Sequence, residues 1–230
     1  MNGKKCVVIG GTGLIGSQCI DYISREKDLY KEIVVLVRYL PEEICETENV
    51  IYRIIDFNKQ ETYQKYLKNV NDFICAIGTT MKKAGSKDNF QKVDFQYPVE
   101  IAKIAHTNGC NRAFIVSAVG ANPKSAFSYN RTKGMLERTI NSIGFQTVYV
   151  FRPSLLLGIR KEFRVGEDVA KKILPCFSSI LPRKYQPVES KAVSAAIALM
   201  AVSKDKGLNV IESHQIQALY ANAVKTGLLF

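Results

Sequence analysis

The sequence predicts an α/β fold, a doubly wound parallel sheet with helices on both faces, on three observations. Short apolar runs recur along the chain, each followed by a longer stretch with helical apolar spacing. The first run leads straight into a turn built almost wholly of glycine. The 230 residues, 47% hydrophobic and 23% charged, suffice for one sizeable core and match an ordinary globular protein. No internal repeat, low-complexity tract or flexible linker divides the chain, so residues 1–230 read as a single domain.

Cys6, Val7, Val8 and Ile9 form a first strand of the kind buried on both faces of a parallel sheet. Gly10, Gly11, Thr12, Gly13, Leu14, Ile15 and Gly16 follow at once, and helical spacing continues through Ile20 and Ile23. The glycines fit G-x-G-x-x-G at Gly11, Gly13 and Gly16, and G-x-x-G-x-x-G at Gly10, Gly13 and Gly16. Glycine serves there because the turn is tight, the backbone must approach a pyrophosphate, and the helix packs close to the strand. Amides at the helix N-terminus then point at the anion, with the helix dipole behind them. A glycine-rich turn alone is punctuation. The strand before it and the helix after it make dinucleotide binding the expectation.

Residues 32–38 (EIVVLVR) read as a second strand, and residues 50–55 as a third, with Asp56 at its end. Residues 59–68 form a polar helical stretch, and residues 72–78 (DFICAIG) a fourth strand running into the Thr79-Thr80 turn. A long helix is expected over residues 90–106, with Val93, Val99, Ile101 and Ala105 on its apolar side and Gly109 closing it. Residues 113–117 (AFIVS) make the fifth strand, residues 129–143 a helix stopped by Gly144, and residues 147–151 (TVYVF) the sixth strand before Pro153. This alternation implies right-handed helical crossovers between parallel strands. The last third is less regular: Pro175, Pro182 and Pro187 break residues 166–188 into short pieces. A helix resumes over residues 191–203, an edge strand fits residues 208–211, and a short helix fits residues 214–220. Residues 156–188 read as a small C-terminal appendage on the substrate side of the one domain.

The six cysteines, Cys6, Cys19, Cys45, Cys75, Cys110 and Cys176, stand alone, with no C-x-x-C pair and no histidine at ligand spacing. That argues against a zinc site. Unpaired cysteines in a chain with its own core point to a reducing, cytoplasmic compartment. Lys4 and Lys5 lead into a run too short for a signal peptide, and no apolar run reaches membrane-spanning length. The net charge, 32 − 21 = +11, favours anionic partners: phosphorylated cofactors, acidic substrates, nucleic acid or an anionic membrane surface. A solvated basic face explains it equally. The charge is scattered and forms no recognised nucleic-acid motif.

Where NAD-binding domains end the second strand with an acid for the ribose hydroxyls, this chain has Arg38. A guanidinium pairs with a 2′-phosphate that an acid would repel, which favours NADP(H) and leaves NAD(H) open. Arg38 as a simple strand-end residue is the alternative. Asp56 is placed to meet the adenine edge, and Ala76, Ile77, Gly78 and Thr79 lie beside the expected cofactor path. Tyr129 and Lys133, four apart on a helix, share one face. An ammonium there favours the phenolate and fits Tyr129 for acid–base work, while Lys133 also reaches a ribose. Ser117 ends the fifth strand, where it can donate to a substrate carbonyl or cap a turn.

These features lie within longer segments: GGTGLIG at residues 10–16, AIGTTMKKAG at 76–85, KVDFQYPVEIAKIA at 92–105, FIVSAVGA at 114–121, SYNRTKG at 128–134 and FRPSLLLG at 151–158. In this combination the chain resembles the atypical short-chain dehydrogenases/reductases, and within them the Tat-interacting-protein oxidoreductase group. The resemblance spans nearly the whole length. It implies a Rossmann fold, NADP(H) binding, Tyr129 as acid–base residue and Lys133 as its ribose-holding partner. It also implies that Arg152, Pro153, Ser154 and Leu155 line the nicotinamide side. Two positions depart from the pattern. Asp94 stands where better-known reductases carry a relay asparagine, and Ser117-Ala118-Val119-Gly120 lacks the tandem serines of extended members. Asp94 reads either as a site residue or as a structural bond within its helix.

The expected activity is NADP(H)-dependent oxidation or reduction of a small-molecule carbonyl or alcohol, with Tyr129 moving the proton. The alternative is an NADP(H)-binding regulatory or interaction protein with a protein partner and little turnover. Residues 156–188 mix apolar side chains with Arg160, Lys161, Arg164, Lys171, Lys172, Arg183 and Lys184. They fit a lid over an apolar, anionic substrate such as an acyl thioester, a patch for anionic lipid, or plain packing with a basic rim.

Overall fold

The computed structural model describes residues 3–26, 28–41, 47–157 and 182–227. Six strands carry the predicted alternation: β1 (Lys4–Ile9), β2 (Tyr30–Val37), β3 (Val50–Ile54), β4 (Asp72–Cys75), β5 (Arg112–Val116) and β6 (Thr147–Arg152). β7 (Leu156–Leu157) and β8 (Val188–Glu189) pair as a separate two-stranded ribbon, and β9 (Gly207–Glu212) joins the main sheet beside β6. The seven main strands run in the order β3-β2-β1-β4-β5-β6-β9. Every pairing is parallel. Order reverses between β1 and β4, and ligands of such sheets bind outside the strand ends at that point.

Among the described residues the α-helices are α1 (Leu14–Arg25), α2 (Met81–Ala84), α3 (Lys87–Gln91), α4 (Tyr97–Thr107), α5 (Ser128–Ser142), α6 (Ser190–Val202) and α7 (Ser213–Thr226). Strand alternation sends β1 side chains to opposite faces. Cys6 and Val8 join a core with Ile20, Ile23 and Ile197 under α1 and α6, while Val7 and Ile9 join one with Ile101 and Ile140 under α4 and α5. At the opposite end of the strands from the crevice, buried Asp72 accepts from the Tyr30 hydroxyl at 2.5 Å and faces Arg112 Nε at 3.3 Å. Burial raises the Asp72 carboxyl above its ordinary range, against the opposing pull of Arg112 and Tyr30.

Three elements differ from the sequence reading. The polar stretch at 59–68 forms two 3₁₀ turns, Gln60–Thr62 and Gln64–Leu67. There the Thr62 hydroxyl bonds the Lys59 and Asp56 carbonyls, in competition with a helix. The long helix over 90–106 is interrupted by a π turn, Lys92–Gln96, just before Pro98 at the start of α4. Proline has no amide to donate into the preceding turn, and the wider turn accommodates it. The final helix extends to Thr226 because a capping box of Glu212 and Gln215 starts it and Gly227, at φ +67°, ends it. Most of the proposed appendage, residues 158–181, lies outside the described residues.

Candidate cofactor cleft and reaction centre

A cleft of about 750 Å³ opens over the carboxyl ends of the central strands, at the point where strand order reverses. Gly10, Thr12 and Gly13 line it from the glycine loop, and Ala76, Ile77, Gly78 and Thr79 from the end of β4. Gly10 sits at φ +80°, and a Cβ on it would lie 2.3 Å from the Ile77 nitrogen. A Cβ on Gly16 would lie 2.2 Å from the Gly10 oxygen, so α1 can approach the loop only through a glycine. Gly11 is crowded by Val35 and Ile20 side chains, and Ile15 is buried in the core. Gly11, Ile15 and Gly16 therefore shape the turn from behind the cleft wall, and Leu14, the first residue of α1, does not line the cleft.

Gly13 is different. A Cβ there would meet only the Gly10 oxygen, at 3.2 Å, and otherwise enter open space. Gly13 caps α1 with no side-chain hydrogen bond, and no acid occupies the first turn. Donor amides and the positive dipole end therefore open toward the cleft, a fit for a pyrophosphate.

The outer end carries Arg38, exposed at the rim with its guanidinium 5.7 Å from the Tyr39 ring centre. Asp56 accepts from the Asn58 amide at 2.9 Å and from Asn58 Nδ2 at 3.1 Å. These bonds hold its carboxyl below the ordinary range. The Tyr97 hydroxyl donates to Asn58 Oδ1 at 2.9 Å, and its ring stacks on Phe57 at 5.2 Å. Lys83, Asn89 and Lys92 line the same cleft. The sequence reading missed all three, although the basic pair Lys82-Lys83 after the fourth strand was a visible signal.

Tyr129 and Lys133 do share one face of α5. Tyr129 is 40% exposed with its ring 6.0 Å from buried Phe90, and Lys133 is buried; neither lines the cleft itself. The Lys133 ammonium meets Asp94 Oδ1 at 2.9 Å, and Asp94 Oδ2 accepts from the Thr79 amide at 2.8 Å. Burial alone would loosen the Lys133 proton, but Asp94, with Tyr129 adding to it, outweighs that and raises its pKa above the ordinary lysine value. The bonds from Asp94 thus run to Lys133 and to the backbone of Thr79, not along its own helix.

Ser117 is buried, and its hydroxyl donates to Glu137 Oε1. Glu137 in turn holds Arg152 through Nε at 3.0 Å and Nη2 at 2.6 Å, and Arg152 Nη1 reaches Glu212 at 2.9 Å. Pro153 accepts from the Val119 amide at 2.9 Å. The Ser154 amide donates to Ser213 Oγ at 3.3 Å and its hydroxyl to the Gln186 carbonyl, while the Leu155 carbonyl accepts from the Val188 amide at 3.0 Å. Arg152, Pro153, Ser154 and Leu155 tie β6 to β5, β8, β9 and α7, and none lines the cleft.

The NAD dependent epimerase/dehydratase family profile matches residues 6–176. The chain is 33% identical over 171 residues to "Protein FMP52, mitochondrial" of Candida albicans, covering 72% of this chain and 73% of that one. It is 32% identical over 172 residues to "Protein HTATIP2" of Rattus norvegicus, covering 75% and 71%. Two solved structures share the fold, each with a TM-score of 0.71, 16% identity, and coverage of 99% of this chain and 83% of the other. They are the UDP-N-acetylglucosamine 4-epimerase from Methanobrevibacter ruminantium M1 in complex with UDP-N-acetylmuramic acid, and the Bordetella bronchiseptica enzyme WbmH in complex with NAD+. The cytoplasmic expectation is corrected: several FMP52 relatives are named as mitochondrial, which points away from the cytoplasm. Cysteine usage misled because Cys6, Cys19, Cys75 and Cys110, all free and buried, report a core environment rather than a compartment.

Proposed function

We infer the function from one premise: this chain belongs to the NAD dependent epimerase/dehydratase family, and its HTATIP2 and FMP52 relatives mark the atypical short-chain dehydrogenase/reductase group. Family and fold amount to a nucleotide-binding, oxidoreductase-like protein. We propose that it is an NADP(H)-dependent oxidoreductase acting on a small-molecule carbonyl or alcohol. One observation carries this reading: the uncapped α1 N-terminus opens, across Gly13, into a cleft lined by Arg38, Lys83 and Lys92 against a single acid, Asp56. That balance favours a cofactor with an additional phosphate over NAD(H).

The loop amides between Gly10 and Gly16 would hold the pyrophosphate, Arg38 the 2′-phosphate, and Asp56 the adenine edge. Residues Ala76 to Thr79 line the path inward, and Lys133, held by Asp94 beneath Gly78, would hold the ribose. When bound, the nicotinamide supplies or accepts the hydride. Tyr129, exposed on α5, gives or takes the proton at its hydroxyl, one helical turn from Lys133. Ser117 acts at one remove by fixing Glu137 and Arg152 at the end of β6. A second reading, an NADP(H)-binding regulator with little turnover, is favoured by the commitment of the Ser117 hydroxyl to Glu137. A panel of carbonyl compounds assayed for NADPH consumption decides between them. Turnover that disappears in Tyr129→Phe supports the enzyme; tight NADPH binding without turnover on any compound supports the regulator.

A further inference from the structure

We propose that Asp94 is a positioning residue that clamps the Lys133 ammonium and the Thr79 backbone into one unit beneath the cofactor path. The inference rests on the oxidoreductase reading of the cleft and assigns Asp94 a task that a relay asparagine would not perform.

Both oxygens of Asp94 are engaged, one by Lys133 at 2.9 Å and the other by the Thr79 amide at 2.8 Å. The carboxylate is fully buried, and the lysine is 3% exposed. The pair lies directly under the cleft floor, since a Cβ on Gly78 would come within 3.4 Å of Asp94 Oδ1 and 3.7 Å of Lys133 Nζ. Gly78 and Thr79 both line the cleft. The π turn ahead of Pro98 carries Asp94 to this position, so the clamp joins three separate stretches of chain: the end of β4, the π turn and α5.

A carboxylate accepts hydrogen bonds and donates none, whereas an asparagine amide does both. Asp94 therefore holds the lysine proton in place and does not pass it on. Tyr129, by contrast, is 40% exposed and makes no part of the clamp. The groups facing the ammonium are Asp94 from the π turn, Cys75 from β4 and Tyr129 from α5. Burial pushes the Cys75 thiol up to about 12, so it stays neutral through the mildly alkaline range. Asp94 is then the acid that offsets the burial of Lys133.

The consequence is a pH signature. In the wild type Lys133 binds its proton more tightly than in the unfolded chain. Its stabilisation is complete below the unfolded lysine range, near about pH 10.4, and is lost only as pH rises through the still higher folded value. In Asp94→Asn the sign reverses. Burial without a counter-charge depresses the folded pKa, so the variant is penalised at neutral pH and regains stability as Lys133 sheds its proton.

The experiment compares thermal unfolding and NADPH dissociation constants of wild type and Asp94→Asn from about pH 7 to about pH 10. The expected result is a Tm gap that is widest near neutrality and narrows as pH rises. NADPH affinity should stay level in the wild type and fall about tenfold in the variant over the same range, as the ribose-side ammonium is lost. A Tm gap constant with pH overturns the clamp and leaves Asp94 a plain packing residue. If the wild type does not bind NADPH, the cofactor reading fails, and the Tm gap still decides the clamp. Should Asp94→Asn fail to fold, Asp94→Asn/Lys133→Met removes the orphaned ammonium and should fold again; failure of the double variant overturns the proposal.

Discussion

Replacing Gly13 with alanine should separate cofactor binding from folding, and replacing Gly16 should not. An alanine Cβ at position 13 meets one atom within 4 Å, the Gly10 oxygen at 3.2 Å, which needs to give by only a few tenths of an ångström. The backbone there, at φ −85° and ψ 167°, is open to any residue. The expected loss of stability is under about 1 kcal/mol. The added methyl enters the space in front of the α1 amides and holds an anion away from them. Loss of two charge-assisted hydrogen bonds, at about 1.5 kcal/mol each, weakens binding by about 3 kcal/mol, or roughly a hundredfold. At position 16 the Cβ falls 2.2 Å from the Gly10 oxygen and 2.8 Å from its carbon, both backbone atoms. The loop or the helix must move, at a cost of about 3 kcal/mol. Urea unfolding measures the first quantity, and titration of NADPH fluorescence the second. Wild-type NADPH affinity in Gly13→Ala would refute the anion site, and wild-type stability in Gly16→Ala would refute the packing argument.

Tyr129→Phe should abolish most turnover of a carbonyl substrate, by a factor of about a hundred or more, while NADPH affinity stays near wild type. Lys133→Ala should damage both, and it also leaves Asp94 buried without its cation, so unfolding should shift by about 3 kcal/mol. Normal turnover by Tyr129→Phe would remove the residue from the reaction. Ser117→Ala should cost about 1 kcal/mol in urea unfolding, the hydrogen bond to Glu137, with kcat within about tenfold of wild type. A hundredfold fall in kcat at unchanged stability would instead make its hydroxyl a direct substrate donor.

The parts of the molecule that were legible in the sequence are those fixed by local constraint. The β1–loop–α1 unit could be read because three of its glycines leave no room for a Cβ, and that requirement is written directly into residue type. The parallel strands were legible because burial on both faces demands unbroken apolar runs such as VVLV. The shared helix face of Tyr129 and Lys133 followed from their four-residue spacing. The boundaries of α7 were not legible, because they depend on the reciprocal cap of Glu212 and Gln215. Nor was the π turn, whose only trace is Pro98. The partners of Ser117 and Asp94 come from tertiary folding: Glu137 lies 20 residues from Ser117 and Thr79 lies 15 from Asp94. The i, i+4 continuation from Lys133 to Glu137 was the one available hint, placing an acid on the face that carries the site. Lys83 and Lys92 reach the cleft because α2 and the π turn fold over it, which no periodicity announces.

Calorimetric titration of the wild-type protein with NADPH and NADH, beside Arg38→Asp, tests the cofactor assignment most directly. Arg38 at the cleft rim, with Lys83 and Lys92 in the same lining, predicts tighter NADPH binding by about tenfold or more, and a gap that narrows or reverses in Arg38→Asp. Equal dissociation constants for the two cofactors in the wild type, or no binding of either, would contradict it.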